Sequence, residues 1–426
     1  MAKAWVEDRW HKKKGTPTEL CRQHKGAKRY RAKAHGIEAQ WEVRGYDDQG
    51  KPLRKERHES YDDAEARAIE LTTEITSGRH RQQQQGKILL RRYIEDVYWP
   101  SAEIPPGTRE RTWQRISSSI LPHLGDHELL DVGPEELNAW KAKLRESLGA
   151  GTIRTTWQNL STILQAAHEA GRIPRNPCRG LTTARPPKRP PTNKTAWSQE
   201  RFRDVRIALP DRYRMLANLG VGSGLRQGEA LGWSPDDLRD GWLYVDRQLQ
   251  GVGRQKWFKL PKRDKTRRVP VTPEFEKAVW EYCEEFPPVT VTLPWVNPSD
   301  PTMPMHKRPK VTVRLLTTTA YSNPISHTSW NLEIWKAALE EAGVVERLYR
   351  EDGTPRDAFT EPGEHGFHVL RHTFASVHLG AGEAPTTVAE YMGDTVATVL
   401  RYYAHFIPDA GGRGLEAMGN FMSLAA

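Results

Sequence analysis

Cysteine is scarce in this 426-residue sequence, and no long apolar segment occurs in it. Cys21, Cys178 and Cys283 are odd in number and widely separated, which excludes a disulfide framework and is typical of a reducing cytosol. The Cys21-x-x-His24 pair resembles half of a metal site, but no second cysteine pair follows, so we expect neither a metal nor a cofactor. Since no apolar segment approaches the roughly 20 residues of a membrane helix, we expect a cytoplasmic protein without a membrane partner.

Positive charge is in excess, and the excess lies in the first half of the chain. The formal net charge is +10. Residues 1–86 carry 19 Lys and Arg against 14 Asp and Glu, residues 87–195 carry 17 against 11, and residues 196–426 carry 28 against 29. This distribution favours a polyanionic partner for the first half, although a solvated basic surface has the same composition.

Residues 1–86 predict a small sheet followed by one helix. Three short strand patterns lie in KRYRAKA, QWEVRGY and RKERHES, and the DDQG turn between the second and third is typical of a hairpin. Asp62 and Glu65 form a capping box that starts a helix ending near Ser77. We expect the polar residues 1–27 to be mobile.

The first of these strands is basic. Its cationic residues are Lys28, Arg29, Arg31 and Lys33. Because side chains alternate along a strand, Arg29, Arg31 and Lys33 share one face. That face either contacts DNA or is a solvated edge.

The rest of the chain predicts two further units. Residues 87–183 carry four apolar stripes with helical spacing, which indicates a four-helix bundle. Residues 184–195 contain four prolines and form an extended basic linker. Residues 196–426 are mixed but mainly helical, with a small antiparallel sheet, and we expect surface loops at 286–310 and 345–365. The predicted fold class is therefore multidomain α+β.

Five residues suited to phosphodiester chemistry follow one another in the third unit. Cleavage of a phosphodiester needs a nucleophile, an acid for the leaving oxygen, and positive charge around phosphorus. Arginine binds phosphate oxygens through two parallel hydrogen bonds, which lysine cannot do. The five residues are Arg226 in GSGLRQGEAL, Lys262 in LPKRDKTRRVP, His368 and Arg371 in HGFHVLRHTFAS, and Tyr403 in LRYYAHF. In this order they predict a site that holds a phosphodiester and attacks it without a metal.

Helical spacing relates some of these residues to their neighbours. Glu229 follows Arg226 by three residues, so it shares a helical face with the arginine and can orient it. His368 and Arg371 are also three apart and can reach one phosphate together. His372 points elsewhere on the helix, and we expect it to be structural.

Two of the five positions have close alternatives. Lys265 lies in the same basic hairpin as Lys262 and is a second candidate for the acid. Tyr402 precedes Tyr403 but is rotated by about 100° in a helix. Each fragment alone also has an ordinary structural interpretation, such as a basic turn or a surface arginine.

The order and context of these motifs resemble the tyrosine recombinases, in their phage-integrase branch, over about residues 28–410. GLRQGE and HVLRHTFAS are similar to the two arginine motifs of that family. The position of the proline that follows the hairpin favours Lys262 over Lys265, and the Ala-His pair after Tyr403 favours Tyr403 over Tyr402.

The resemblance implies a role for each residue. Tyr403 would attack the scissile phosphate and form a 3′-phosphotyrosyl bond. Arg226 and Arg371 would clamp the phosphate, His368 would assist proton transfer, and Lys262 would be the acid.

One position departs from the family pattern. Where the family usually has His or Trp, nine residues before the tyrosine, this sequence has Asp394. An ionised carboxylate accepts hydrogen bonds but donates none, and it repels phosphate. We expect Asp394 to cap the next helix and to face away from the phosphate.

The resemblance also implies domains and a reaction. Residues 1–86 would be an arm-type DNA-binding domain, 87–183 a core-binding domain and 196–426 the catalytic domain. The function implied is a site-specific DNA recombinase that integrates a phage or mobile element into a bacterial chromosome. It would act as a tetramer on double-stranded attachment sites in the nucleoid, with a host DNA-bending protein and an excisionase as further partners. The alternatives are a catalytically impaired DNA-binding regulator and a topoisomerase-like DNA relaxer.

Overall fold

The computed structural model describes residues 3–12, 19–24, 30–78, 85–180, 184–188, 195–297, 300–360, 364–407 and 418. The chain divides into two compact units, one made of Met1–Ala102 and Arg111–Pro190, the other of Glu103–Glu110 and Pro191–Ala426. Within the described ranges, no helix combines the length and the apolar character needed to span a bilayer.

The first unit begins with a small antiparallel sheet covered by a helix. Its strands are β1 (Lys3–Asp8), β2 (His11–Lys12), β3 (Tyr30–Arg31), β4 (Trp41–Tyr46) and β5 (Glu56–His58). The sheet has the order β1–β4–β5, and β2 pairs with β3 beside it. Helix α1 (Tyr61–Thr76) packs Ala64, Ala68 and Leu71 onto Ala4 and Val43, all of them buried.

Three predictions for this region were wrong. Residues 3–8 were expected to be mobile, but they form β1, because the short alternation around Ala4 and Val6 provides a face for the core. Among the described residues of the KRYRAKA segment, only Tyr30 and Arg31 form a strand, β3, which lies outside the three-stranded sheet, and a turn follows. The cap of α1 is Ser60, whose hydroxyl accepts from the Asp62 backbone N–H at 3.2 Å.

A helical bundle follows and, apart from residues 106–110, it belongs to the same unit. Its helices are α2 (90–101), α3 (106–124), α4 (Pro134–Arg145) and α5 (Ala150–Glu169). The four apolar stripes converge on one core, which includes the fully buried Leu90, Ile116, Leu137 and Leu160. This core is separate from the one under the sheet.

The second unit is mixed and mainly helical. Its helices are α6 (Gln199–Ala208), α7 (Asp211–Ser223), α8 (Gln227–Leu231), α9 (Pro273–Glu285), α10 (327–341), α11 (His368–Gly380), α12 (Pro385–Met392) and α13 (Val396–Tyr403). Its strands are β6 (Leu238–Arg239), β7 (Trp242–Val245), β8 (Gln248–Val252), β9 (Gln255–Lys259), β10 (Arg267–Pro270), β11 (Val289–Val296), β12 (Lys310–Leu315), β13 (Arg347–Tyr349) and β14 (Pro355–Phe359).

Its sheets are more extensive than the single small sheet expected. One has the order β10–β7–β6, a second has the order β12–β11–β9–β8, and β13 pairs with β14. The pairing of β11 with β9 is parallel, and the other pairs are antiparallel. The predicted loops at 286–310 and 345–365 were wrong in part, because VTVTLPWV alternates Val with Thr and forms β11 despite the nearby prolines.

Helices α7 and α11 bring the two arginine motifs together. They meet at Gly220, where a Cβ atom would lie 2.7 Å from Leu370 Cδ1, so only glycine permits this approach. Leu370 belongs to the main apolar core of the unit, and Gly220 is buried. The loop after α7 and the first turn of α11 therefore lie side by side.

Candidate active site

Arg226 lies in the loop between α7 and α8. Gly224 ends α7 in the left-handed conformation, with φ of 62°, and its α-carbon faces the ring of Phe374 at a distance that leaves no room for a Cβ. Arg226 is the N-cap residue of α8, and its backbone N–H donates to Glu229 Oε2 at 2.9 Å. Its side chain donates to Glu229 Oε1 at 3.0 Å, so the i, i+3 pair predicted from the sequence is present.

Glu229 is shared by two arginines. Arg267, the first residue of β10, donates to both Glu229 oxygens, at 3.1 and 2.6 Å. Burial alone would raise the pKa of Glu229, but Arg267, Arg226 and Arg371 outweigh it and lower the pKa to about 2. Glu229 is therefore ionised at neutral pH. Arg267 was not predicted from the sequence, because its pairing with Glu229 joins residues 38 positions apart.

Arg371 is buried in the first turn of α11. Its guanidinium donates to the carbonyl oxygens of Gly224, at 2.7 Å, and Met392, at 2.6 Å. Burial and the neighbouring Arg226 and Arg267 lower its pKa to about 9, so the group remains charged at neutral pH. The two carbonyls fix the direction of the guanidinium.

Asp394 contacts both of the motif arginines, and the prediction that it faces away from them was wrong. Its Oδ2 accepts from Arg226 Nη2 and from Arg371 Nη2, each at 3.3 Å. Helix α13 is capped by Thr395, whose hydroxyl accepts from the Thr398 backbone N–H. Asp394 Oδ1 accepts from the Thr395 backbone N–H at 3.2 Å. The two guanidiniums draw the carboxylate inward because it neutralises their charge.

Tyr403 is the last residue of α13, and its ring is buried against α11. Its hydroxyl is hydrogen-bonded to His372 Nδ1 at 2.5 Å, so the expectation that His372 points away from the site was wrong. Burial raises the pKa of Tyr403 to about 12, while Arg371 and Arg226 act in the opposite direction. The phenol is therefore protonated at neutral pH, and its closest polar neighbour is an imidazole.

His368 begins α11 and is exposed. Its ring centroid lies 5.8 Å from that of His372, which in turn lies 5.6 Å from that of Tyr403. The ring of His372 therefore neighbours those of both His368 and Tyr403. The adjacent Tyr402 is half-buried, and its centroid is 6.5 Å from that of Tyr403.

Lys262 and Lys265 both lie in the connection between β9 and β10, and both are exposed. Arg263 has a φ of 66° and Asp264 a φ of 57°, so the connection bends sharply through the left-handed region. Arg263 Nη1 lies 3.9 Å from Asp394 Oδ1, which joins this connection to the arginine cluster. The structure places both lysines on a segment that borders the site, and the choice between them stays a prediction.

Arg31 and Lys33 are the two predicted N-terminal basic residues that the structure describes, and they do not share a strand face. Arg31 lies in β3 with a salt bridge to Glu19 of 3.5 Å, and Lys33 is exposed in the turn that follows. Lys28 and Arg29 lie outside the described residues. A role of these four residues in DNA binding stays a prediction.

The comparisons with known proteins point to one family. No family model matches the chain. It is 23% identical over 402 residues to a protein named tyrosine recombinase XerC-like from Caldanaerobacter subterraneus, covering 88% of this chain and 94% of that protein. It is 25% identical over 305 residues to tyrosine recombinase XerC from Mesorhizobium japonicum, covering 69% of this chain and 82% of that protein.

Solved structures agree on the fold. The Tn1549 transposon integrase in complex with a circular intermediate DNA superposes with a TM-score of 0.57 at 15% identity, over 78% of this chain and 99% of that one. A lambda integrase dimer bound to a COC′ core site superposes with a TM-score of 0.54 at 17% identity, over 87% of this chain and 93% of that one. The residues brought together here are those of the two arginine motifs and the late tyrosine. By sequence the chain is similar to these two named tyrosine recombinases over most of its length, and it shares its fold with the two solved integrases.

Proposed function

We propose that the protein is a site-specific DNA recombinase that cuts and rejoins DNA through a 3′-phosphotyrosyl intermediate. One observation carries the proposal. Arg226 and Arg371 direct guanidinium nitrogens at the same anionic oxygen, Oδ2 of Asp394, at 3.3 Å each. A phosphodiester oxygen has a similar charge, so the space between the two guanidiniums is suited to the scissile phosphate. Tyr403 interacts electrostatically with the same arginines.

The fixed positions of the two guanidiniums suit them to the transition state. Arg371 is held by two carbonyl oxygens, and Arg226 is held by the buried Glu229, which Arg267 holds in turn. Side chains fixed in this way need little reorganisation when charge develops on the phosphate oxygens during attack. Glu229 and Arg267 are positioning residues in this proposal.

The nucleophile must lose a proton before or during attack. Because burial raises the pKa of Tyr403 to about 12, a nearby base is needed at neutral pH. His372 Nδ1 is hydrogen-bonded to the phenol and is suited to accept this proton. The Tyr403 oxygen then forms a bond to phosphorus while the bond from phosphorus to the 5′ oxygen breaks.

The leaving 5′ oxygen needs a proton in turn. Lys262 would supply it, with Lys265 as the alternative on the same connection. The freed 5′ hydroxyl of the partner strand then attacks the phosphotyrosine, which reverses these steps and releases Tyr403. The energy of the broken bond is kept in the phosphotyrosine, so the reaction needs no nucleotide hydrolysis.

The partners proposed are double-stranded attachment sites and further copies of the chain. Lambda integrase has been solved as a dimer on a core site and as a tetramer on a Holliday junction, and the Tn1549 integrase with a circular intermediate DNA. By analogy, this protein would act as a tetramer that integrates a phage or mobile element, associated with the nucleoid. Residues 1–86 would bind arm sites and 87–183 core sites. A host DNA-bending protein and an excisionase are further proposed partners.

A nicked duplex that loses its 5′ fragment after cleavage tests the proposal. Wild-type protein should accumulate as a covalent DNA complex that survives denaturing electrophoresis. Tyr403→Phe should abolish the complex while DNA binding stays within about threefold, because the phenol oxygen adds little to ground-state affinity. Tyr402→Phe is the matched control and should still form the complex. Loss of the complex in Tyr402→Phe, but not in Tyr403→Phe, would contradict the assignment.

Two other functions are distinguished by related measurements. A DNA-binding regulator would shift the duplex without any covalent complex from the wild-type protein. A topoisomerase-like relaxer would form the complex and relax supercoiled DNA, but it would give no recombinant product from two differently labelled duplexes.

A further inference from the structure

Four side chains with metal-binding atoms converge beside the N-terminal sheet. They are His11, Cys21, His24 and His35. One ligand atom from each lies within 4.8 Å of the others, and Cys21 Sγ lies 3.2 Å from both His24 Nδ1 and His35 Nε2. His11 belongs to β2, Cys21 and His24 to the next described segment, and His35 to the turn after β3. Three separate segments therefore meet at this one point.

The spacing of the three imidazole rings fits tetrahedral coordination. The His11 centroid lies 5.3 Å from those of His24 and His35, which are 5.5 Å from each other. When an imidazole nitrogen binds a zinc ion at about 2.0 Å, the centroid of the ring lies roughly 3.2 Å from the metal. Two such rings at a tetrahedral angle then have their centroids about 5.2 Å apart. The rings thus stand at nearly equal distances that leave room for one ion between them.

His11 supplies an independent observation that points to a ligand. Its side chain is only 2% exposed, and its Nδ1 is 2.8 Å from Asp8 Oδ2. Its Nε2 is buried and has no hydrogen-bond partner. A neutral imidazole that donates Nδ1–H to a carboxylate presents a lone pair at Nε2, and this arrangement is typical of a metal-bound histidine. An unpartnered buried nitrogen is otherwise costly.

The surrounding segment has little else to hold it together. Among the described residues between 9 and 37, no hydrophobic side chain is buried, and His11 is the only buried residue. Trp10 covers one side of the cluster, with its ring centroid 5.6 Å from those of both His24 and His35. A segment of this size without an apolar core commonly folds around a metal or disulfides. With one cysteine among the described residues of this range, a disulfide within it is excluded.

We propose that His11, Cys21, His24 and His35 bind one zinc ion, which holds the segment between β1 and β4 in its fold. Three nitrogens and one sulfur are the ligands zinc takes in structural sites, whereas calcium and magnesium need oxygen ligands. All four positions are filled by protein, so the ion is structural rather than catalytic. On binding, the Cys21 thiol releases its proton to solvent and the three histidines bind as neutral rings. The site also fixes the turn that carries Lys33.

Metal content of the full-length protein tests the proposal. The protein is stripped with a chelator, reconstituted with zinc chloride and desalted, and zinc is measured by mass spectrometry. We expect about one zinc ion per chain in the wild type and in the matched controls Cys283→Ser and His306→Ala. Cys21→Ser and His11→Ala should lose most of it. Equal zinc content in the wild type and these two variants would overturn the proposal.

Two further measurements use only the wild-type protein, so their results do not depend on whether the variants fold. Cobalt substituted for zinc should give a thiolate-to-cobalt charge-transfer band in the near ultraviolet, together with the intense visible bands of a tetrahedral site. Chelation should speed trypsin cleavage between residues 9 and 37 while the rest of the chain stays protected. Absence of the thiolate band at saturating cobalt, or cleavage that zinc does not slow, contradicts the site. Both results are independent of whether the protein recombines DNA.

Discussion

Replacing the Asp394 carboxylate by an amide should accelerate DNA cleavage. Asp394 Oδ2 lies 3.3 Å from one nitrogen of Arg226 and one of Arg371, in the place proposed for a phosphate oxygen. In Asp394→Asn, the Oδ1 that accepts from the Thr395 backbone remains, so the start of α13 is preserved. The new amide adds a hydrogen-bond donor directed at the same space, and the negative charge is lost.

The magnitude follows from the distances. A phosphate held by the same two guanidiniums would lie roughly 5 Å from the Asp394 carboxylate, where two unit charges repel by about 3 kcal/mol at an effective dielectric of about 20. The Asp394 side chain is 20% exposed, so solvent and salt reduce this to roughly half. About 1.4 kcal/mol corresponds to a factor of ten in rate. We therefore expect cleavage to accelerate about tenfold.

Single-turnover cleavage of the nicked duplex measures the effect, at two salt concentrations. Asp240→Asn is the matched control, because Asp240 is exposed in the same unit, and asparagine tolerates its φ of 52°. It should leave the rate unchanged. Asp394→His, which supplies a donor of the kind the family usually has at this position, should accelerate cleavage as well. The acceleration should shrink as salt increases.

A slower rate in a folded Asp394→Asn protein would refute this reasoning. It would mean that the carboxylate positions Arg226 and Arg371 for catalysis, and that the loss of that support outweighs the loss of repulsion. A thermal melt of each variant separates this result from simple destabilisation.

Two further predictions concern the residues behind the reacting groups. His372→Ala should slow formation of the covalent complex about 100-fold with unchanged DNA affinity, as expected for loss of a general base; a rate within threefold of wild type would exclude that role. Glu229→Gln should lower the free energy of unfolding at pH 7 by roughly 3 kcal/mol, since the ionised Glu229 with a pKa of about 2 stabilises the folded state. A carboxylate whose pKa is lowered in the folded state stabilises the protein above its unfolded-state pKa, and this stabilisation is lost as the pH falls through the folded-state pKa. The difference in unfolding free energy between the two proteins, measured by chemical denaturation, should therefore disappear between about pH 4.5 and 2. A difference that persists at pH 2 would contradict the assignment.

The parts of the site that depend on one helix were predictable from the sequence. The Arg226–Glu229 pair is present because the residue that caps a helix and the third residue of that helix are neighbours in its first turn. The apolar stripes of residues 87–183 were sufficient to predict four helices for the same reason. Contacts between distant segments were not predictable. The bond between His372 and Tyr403 depends on how α11 and α13 pack, and the pairing of Arg267 with Glu229 depends on where β10 begins.

The cluster around Cys21 illustrates the same limit. Cys21-x-x-His24 is a local pattern and could be recognised, but His11 lies 10 residues before Cys21 and His35 lies 14 residues after it, which is longer than the short spacings typical of paired zinc ligands. The pairing of β2 with β3 places His11 opposite Arg31, four residues before His35. The sequence pattern therefore indicated fewer metal-binding residues than the folded chain brings together.

Asp394 shows why a local preference can lose to a tertiary contact. A helix cap stabilises a protein by about 1 kcal/mol, and a neighbouring threonine supplies it almost equally well. Here Thr395 takes that position, so turning Asp394 inward costs little. Buried guanidiniums such as that of Arg371 are costly without a counter-charge, and Asp394 is the carboxylate that reaches both motif arginines at once. The arginines that suit this site to phosphate therefore also determine, before any DNA is bound, which way the aspartate faces.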